Sequence, residues 1–217
     1  MKTALLFANG EVTPNEINKI KSTQFDLVIA ADGGASHALR FGYRPQYVVG
    51  DHDSITPEIK KQLSETQFLH DPSQHLNDLE KALRFCEIEE VKHLTVLGIG
   101  GKRLDHTLNN LSVISRFDQK FKLRILDAHS EIFLVRQSWQ YSGKAKQLIS
   151  LIPLGTVEGI TTEGLAFALK DEPLDFGIRE GLSNYIFSSP VSVKITGGLL
   201  LIFVIDPEFG AAVSKHD

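Results

Sequence analysis

A change of period constrains this chain more than anything else. Through about residue 135, short apolar runs alternate with helix-periodic stretches; beyond it, no helical period of any length is present. Strands are predicted at residues 4–8, 27–31, 47–49, 93–97 and 123–126. Each is short and bounded by Gly, Asp or Pro, as strands covered on both faces are. Helices are predicted at 14–22, 35–41, 77–86 and 104–117. Pro14 follows Thr13 at a first helical position, Asn77 is placed to cap, and Leu79, Ala82, Leu83 and Cys86 recur at helical spacing. Strands alternating with helices predict a mostly parallel sheet wrapped on both faces. In the later part, runs at 132–136, 147–153, 157–162, 192–196 and 199–205 are separated by glycines. The expected architecture is a mostly parallel α/β sandwich domain, residues 1–135, followed by an all-β sandwich domain, residues 136–217. Thr196-Gly197-Gly198-Leu199 predicts a tight hairpin joining the last two runs.

Composition removes several classes. Hydrophobic residues are 42% and charged residues 23% of the 217, which argues against disorder and coiled coil. One cysteine excludes an intrachain disulfide framework. A net charge of −4 weighs against a general nucleic-acid binder, whose affinity comes from clustered Lys and Arg. No run approaches the roughly 20 apolar residues of a membrane-spanning helix, so no membrane role is expected. Asn9-Gly10-Glu11 interrupts the first apolar run before it resembles a signal peptide, and a cytoplasmic location is the expectation.

Four places put chemistry where an α/β fold binds ligands, at the carboxyl ends of strands. Asp32-Gly33-Gly34 ends one strand and opens a helix; this reads as close backbone approach to an anion or as a capped turn. Asp51-His52-Asp53 follows another strand. In extended chain, residues i and i+2 share a face, so both carboxylates could meet one hard cation such as Mg²⁺; a solvated turn fits equally. Asp78 lies in the first turn of an apolar-striped helix, where the dipole alone favours an acid. Gly98-Ile99-Gly100-Gly101-Lys102-Arg103 is a glycine-rich basic loop before a helix, able to admit a phosphate, though it lacks the Gly-Lys-Ser/Thr element of a P-loop. Taken together they describe a site for a Mg²⁺–polyphosphate substrate.

With these motifs in order, the sequence resembles the thiamin pyrophosphokinase family over essentially its whole length. Gly50-Asp51-His52-Asp53-Ser54-Ile55 resembles that family's Gly-Asp-Phe-Asp-Ser-Ile. Asn77-Asp78-Leu79-Glu80-Lys81-Ala82-Leu83 resembles its Thr-Asp-(Leu/Phe)-Glu-Lys-Ala-Leu, and Arg103-Leu104-Asp105-His106 its Arg-X-Asp-His. Ala31-Asp32-Gly33-Gly34-Ala35, Ser150–Gly155, Thr161–Leu165 and Gly181-Leu182-Ser183-Asn184 also fit. The resemblance implies an α/β catalytic domain, a β-sandwich and a homodimer with sites between subunits. It implies transfer of a pyrophosphoryl group from ATP to the hydroxyl of thiamin. Asp51, Asp53 and Asp78 would hold Mg²⁺ and the ATP phosphates. Arg103 and Asp105 would complete that site, and Asp32, Gly33 and Gly34 would line the nucleotide side with Gly100, Gly101 and Lys102. Ser183 and Asn184 would hydrogen-bond the thiamin pyrimidine. Phe167 stands where the family often has Trp and would stack on that ring. His52, His75 and Asn77 depart from the family pattern. A binding protein without turnover, or a pyrophosphokinase for another small alcohol such as a pterin, are the other classes the residues allow.

Overall fold

The computed structural model describes residues 1–209. The end of the predicted second domain, 210–217, lies outside the described residues. The chain divides into two compact units, Met1–Ala128 and a second from His129 onward, so the division falls a few residues before 135.

The first unit alternates strands and helices without exception: β1 (Thr3–Phe7), α1 (Pro14–Ile20), β2 (Leu27–Ala31), α2 (Gly34–Arg40), β3 (Tyr47–Gly50), α3 (Pro57–Gln62), β4 (Gln67–His70), α4 (Asp78–Ile88), β5 (His93–Leu97), α5 (Leu104–Ser115) and β6 (Lys122–Leu126). The strands pair in parallel in the order β6-β5-β1-β2-β3-β4. The order reverses direction at β1, which lies between β5 and β2, and a crevice opens beside such a point at the strands' carboxyl ends. Leu5, Phe7, Ala30, Val48, Leu97 and Leu126 are buried in the core with Ile20 and Ala35 from the helices. Caps set the helix starts as the sequence predicts. Thr13 and Glu16 form a capping box on α1, and the Asn77 side chain accepts from the Glu80 amide at 2.8 Å on α4.

A buried carboxylate locks α4 to α5. Glu80 is 4% exposed; it accepts from Arg116 at 2.6 and 3.3 Å and from Arg84 at 2.9 Å. Burial works against its charge, but the Arg116 and Arg84 guanidiniums overcome that and hold the carboxyl below its ordinary 4.5. Because the folded-state value is the lower one, this contribution is complete above pH 4.5 and is lost as the pH falls through the folded-state value. Glu80→Gln is therefore expected to cost about 1 kcal/mol at neutral pH and to lose that deficit as the pH falls through the lowered folded-state value. Urea unfolding of both proteins at neutral and acid pH measures it.

The second unit is all strand in its named elements: β7 (Ser130–Val135), β8 (Ser138–Tyr141), β9 (Leu148–Pro153), β10 (Thr156–Glu163), β11 (Glu172–Asp175), β12 (Gly181–Tyr185), β13 (Val191–Lys194) and β14 (Leu200–Ile205). They form two antiparallel sheets, β12-β9-β14-β7 and β11-β10-β13-β8. Ile149, Leu151, Leu200, Ile202 and Val204 from one sheet meet Val157, Ile160, Leu174, Val191 and Val193 from the other in one core, the expected sandwich. The predicted Gly197-Gly198 hairpin does not form. β13 pairs with β10 and β8, while β14 pairs with β7 and β9, so the glycines carry the chain from one sheet to the other. Gly197 bridges to Glu158, and a Cβ on Gly198 (φ +92°) would lie 2.4 Å from the Thr156 carbonyl oxygen. Glycine is required here by close approach to β10, not by a two-residue turn.

Candidate functional site

Three loops at the carboxyl ends of the parallel strands bring acids together. Asp32 follows β2, Asp51 follows β3, and Asp78 is the first residue of α4. One carboxylate oxygen of each lies within 4.8 Å of the others. Asp32 is 1% exposed and adopts φ +41°, a conformation that Asp tolerates better than most residues. Its Oδ1 is the buried side-chain polar atom without a hydrogen-bond partner among the described residues. A buried carboxylate oxygen with nothing to bind is costly, and a cation would satisfy it. Gly50 makes the convergence possible, because a Cβ there would lie 2.9 Å from Asp32 Cβ and 3.0 Å from Asp78 Oδ1.

One ammonium sits beside this cluster. Lys81, 4% exposed, donates to Asp78 Oδ1 at 3.1 Å and to the Asp71 carbonyl at 2.9 Å. Burial raises the Asp78 carboxyl above its ordinary 3.8, Lys81 pulls it back, and Asp32 and Asp51 add to the rise. With the three acids ionised and Lys81 protonated, two negative charges remain. Hard oxygen donors carrying that charge fit Mg²⁺, which takes few carboxylates and leaves positions for water and phosphate.

Asp53 is not part of the trio. It is exposed, and its Oδ1 accepts from the Ser54 hydroxyl at 2.9 Å. The expectation that Asp51 and Asp53 share a face assumed extended chain. His52 instead adopts φ +65°, and β3 has already ended at Gly50. The His52 ring turns back to pack edge-on against Phe68, with its Nε2 3.4 Å from the Val48 carbonyl oxygen. Asp32, predicted for the nucleotide side, takes the place beside Asp51 and Asp78.

Next to the trio a cleft of about 260 Å³ opens between the loops after β1 and β5, where the strand order reverses. Ala8, Asn9 and Gly10 line one side; Ile99, Gly100, Lys102 and Arg103 line the other; Asn77 and Asp78 close the end, and His106, Thr107 and Asn110 project from α5. Lys102 donates to the Asn9 carbonyl at 2.9 Å, tying the two loops together. Arg103 holds Asp105 through Nε at 3.0 Å and Nη2 at 2.5 Å. That fork keeps the exposed Asp105 carboxyl down at about 2. Three of the predicted glycines are explained by the protein itself. A Cβ on Gly33 would meet Asn9 Oδ1, one on Gly34 the Phe7 carbonyl, and one on Gly101 the Glu11 Cβ, all within 2.5 Å. Gly100 alone among the predicted loop glycines lines the cleft.

In the second unit, β12 carries a bulge between Gly181 and Asn184. Ser183 sits in it at φ +57°, exposed, its amide held by the Ser150 hydroxyl at 3.1 Å. Phe167 is 68% exposed and lies edge-on to Tyr185. Asn184 is buried.

Comparison with known proteins matches both units to domains of one family. The model of the thiamin pyrophosphokinase catalytic domain matches residues 20–126, and that of the thiamin pyrophosphokinase vitamin B1 binding domain matches residues 139–200. The chain belongs to the thiamin pyrophosphokinase family. A thiamin pyrophosphokinase of Caenorhabditis elegans is 27% identical, covering 94% of this chain and 88% of its own length. One from rice is 28% identical over 82% of this chain and 78% of its own. The fold matches the crystal structure of the Bacillus subtilis thiamine pyrophosphokinase with a TM-score of 0.82, at 22% identity, over 95% of this chain and all of that one. It matches the Candida albicans structure with a TM-score of 0.84, at 19% identity, over 94% of this chain and 89% of that one.

Some cleft-lining residues of this thiamin pyrophosphokinase family member carry no local functional signal in the sequence. Asn9 and Gly10 line the cleft, although in the sequence they mark only the break in an apolar run. They follow β1 as Asp32 follows β2, and the strand-end rule applied to every strand finds them. Asn110 sits mid-helix on α5. Its side chain donates to the Ile99 carbonyl at 2.8 Å and accepts from Asn77 at 3.2 Å, joining the glycine loop to the cap of α4. No local pattern marks such a residue; only the packing of α4 on α5 does.

Proposed function

We propose that the enzyme transfers the pyrophosphoryl group of ATP to the hydroxyl of thiamin, giving thiamin diphosphate and AMP, in a Mg²⁺-dependent reaction. The observation that carries this reading is the meeting of Asp32, Asp51 and Asp78 beside a basic, glycine-lined cleft in a chain whose two units match the two domain models of one family. Bound Mg²⁺ supplies charge neutralisation of the polyphosphate, which this class of transfer requires more than covalent help. The three aspartates hold the cation, and the exposed Asp53 is free to join them once substrate phosphates are bound. Lys102 and Arg103 offset phosphate charge from the opposite wall, and Asp105 fixes the Arg103 fork. Gly100 leaves room for a phosphate to approach the backbone. In the second unit, Phe167 offers a ring and Ser183 a hydroxyl to the pyrimidine of thiamin, a flat aromatic ring suited to packing on another.

A homodimer belongs to the same proposal. Phe176, Ile178, Leu182 and Phe187 are large apolar side chains exposed on the second unit, of the kind a second copy covers. A cytoplasmic location suits the single cysteine. Cys86 is buried in α4, and burial pushes its thiol up to about 12, leaving it unreactive. No helix among the described residues is long and apolar enough to cross a membrane.

The test is incubation with ATP, Mg²⁺ and thiamin, followed by separation of nucleotides. AMP and thiamin diphosphate are expected in equal amounts. ADP as the product, or turnover indifferent to thiamin, overturns the assignment; a panel that includes a pterin alcohol identifies any other acceptor.

A further inference from the structure

The Asn184 side chain is bonded to backbone groups of Phe167 and of its own neighbour Tyr185. Its Oδ1 accepts from the Phe167 amide at 3.1 Å and from the Tyr185 amide at 2.8 Å. Its Nδ2 donates to the Phe167 carbonyl at 2.7 Å. The side chain thus does for Phe167 what a neighbouring strand would do, bonding both its amide and its carbonyl. The main chain continues the same pairing, with the Ala166 amide on the Tyr185 carbonyl at 3.0 Å and a bridge between Leu165 and Ile186. Asn184 is 5% exposed and its carbonyl oxygen is doubly occupied, which leaves it no acceptor for a ligand.

The residue held this way gains nothing for the core. Phe167 leaves 68% of its surface in solvent, and its ring touches Tyr185 edge-on at a centroid distance of 6.0 Å and an interplanar angle of 87°. A buried amide that fixes the backbone of an exposed aromatic is pre-organisation: the ring is held ready before anything binds, and the ordering cost is not charged to binding. The bulge before it serves the same end. With Ser183 at φ +57°, the strand accommodates one extra residue and Asn184 turns inward.

We propose that Asn184 is a positioning residue that holds Phe167 as a rigid aromatic face for the flat pyrimidine ring of the substrate, and that it acts through Phe167 rather than by hydrogen-bonding that substrate. The inference rests on the reading of that substrate as thiamin.

Thiamin binding to the full-length protein is measured by calorimetry for the wild type, Asn184→Ala, Phe167→Ala and the double variant. Each single change is expected to weaken binding about tenfold, and the double variant to bind no worse than Phe167→Ala alone. Additive losses would mean that Asn184 touches the substrate directly, and would overturn the proposal. Asn184→Asp serves where Asn184→Ala fails to fold, since it keeps the shape and both acceptor bonds but loses the donor to the Phe167 carbonyl. In turnover assays the KM for thiamin is expected to rise, with kcat changed by less than about twofold. The clamp is also read without substrate. In a Trp139→Phe background, Phe167→Trp carries the remaining tryptophan, and adding Asn184→Ala should lower its fluorescence anisotropy. Unchanged anisotropy overturns the clamp. A wild type that binds no thiamin overturns the substrate reading instead, and leaves the anisotropy result to decide what Asn184 does.

Discussion

Asp32→Asn is expected to reduce turnover by about a hundredfold or more while raising the melting temperature of the cation-free protein. The two effects share one cause. The Asp32 carboxylate is 1% exposed, its Oδ1 has no hydrogen-bond partner, and two other carboxylates lie within 4.8 Å. Without a cation, that is a buried charge facing like charges. Asn retains the size and the tolerance for φ +41°, removes the charge, and brings an amide that can donate toward its neighbours. Relief of about 1–2 kcal/mol corresponds to about 2–8 °C in a chain of this length. Calorimetric scans in EDTA and in excess Mg²⁺ measure it: the variant should melt above the wild type in EDTA and lose the advantage in Mg²⁺. A lower melting temperature in EDTA would mean that Asp32 serves the fold rather than a cation.

Lys81→Met should do the opposite. Lys81 supplies the ammonium that donates to Asp78, and it is buried beside the trio. Its removal leaves three carboxylates with no protein cation bonded to them and strands the Asp71 carbonyl that it also binds. Breaking such a pair costs less than in a fully buried one, because the Asp78 side chain is 31% exposed. A loss of about 2–4 kcal/mol is expected, or about 4–16 °C. Excess Mg²⁺ should restore part of it, because the divalent ion then meets a more negative site. Arg is no substitute, since a planar guanidinium does not fit where a compact ammonium sits among several acceptors. Equal destabilisation in EDTA and in Mg²⁺ would show that Lys81 contributes only packing.

The strands and helices that carry continuous apolar runs or caps were legible from residues alone. β2 and β5 match their predicted bounds, and α4 begins where Asn77 caps it. The elements that escaped have little to hide. β4 (Gln67–His70) is the edge strand of the parallel sheet and has no fully buried residue, so it has no apolar run. α3 (Pro57–Gln62) also buries nothing and carries no stripe; the Thr56 cap and Pro57 are its signals. In β12 the bulge breaks the alternation that would have marked a strand, and Asn184 is its buried residue.

The site was legible as a set of acids but not as an arrangement. That Asp32, Asp51 and Asp78 belong together at strand ends follows from the order of strands and helices. Which two of Asp32, Asp51 and Asp53 face each other depends on a single backbone angle at His52, and residue identity does not dictate it. Asn184 shows the same limit. An Asn after a Ser in a turn-rich segment reads as a ligand-facing group, and only the three-dimensional pairing with Phe167 shows that its side-chain oxygen and one of its N–H groups are held by that residue.

The placement of Lys81 also matters while the chain is being made. Asp32 and Asp51 leave the ribosome first, and Asp78 brings the third negative charge. Lys81 follows three residues later on the same helical turn, bonded to Asp78 itself. The last carboxylate therefore arrives with its own counter-charge, and the nascent unit closes around a net charge no greater than that of the two acids already emerged. A domain that folds as a unit from its N-terminal end can thus complete this acidic centre before any ion reaches it.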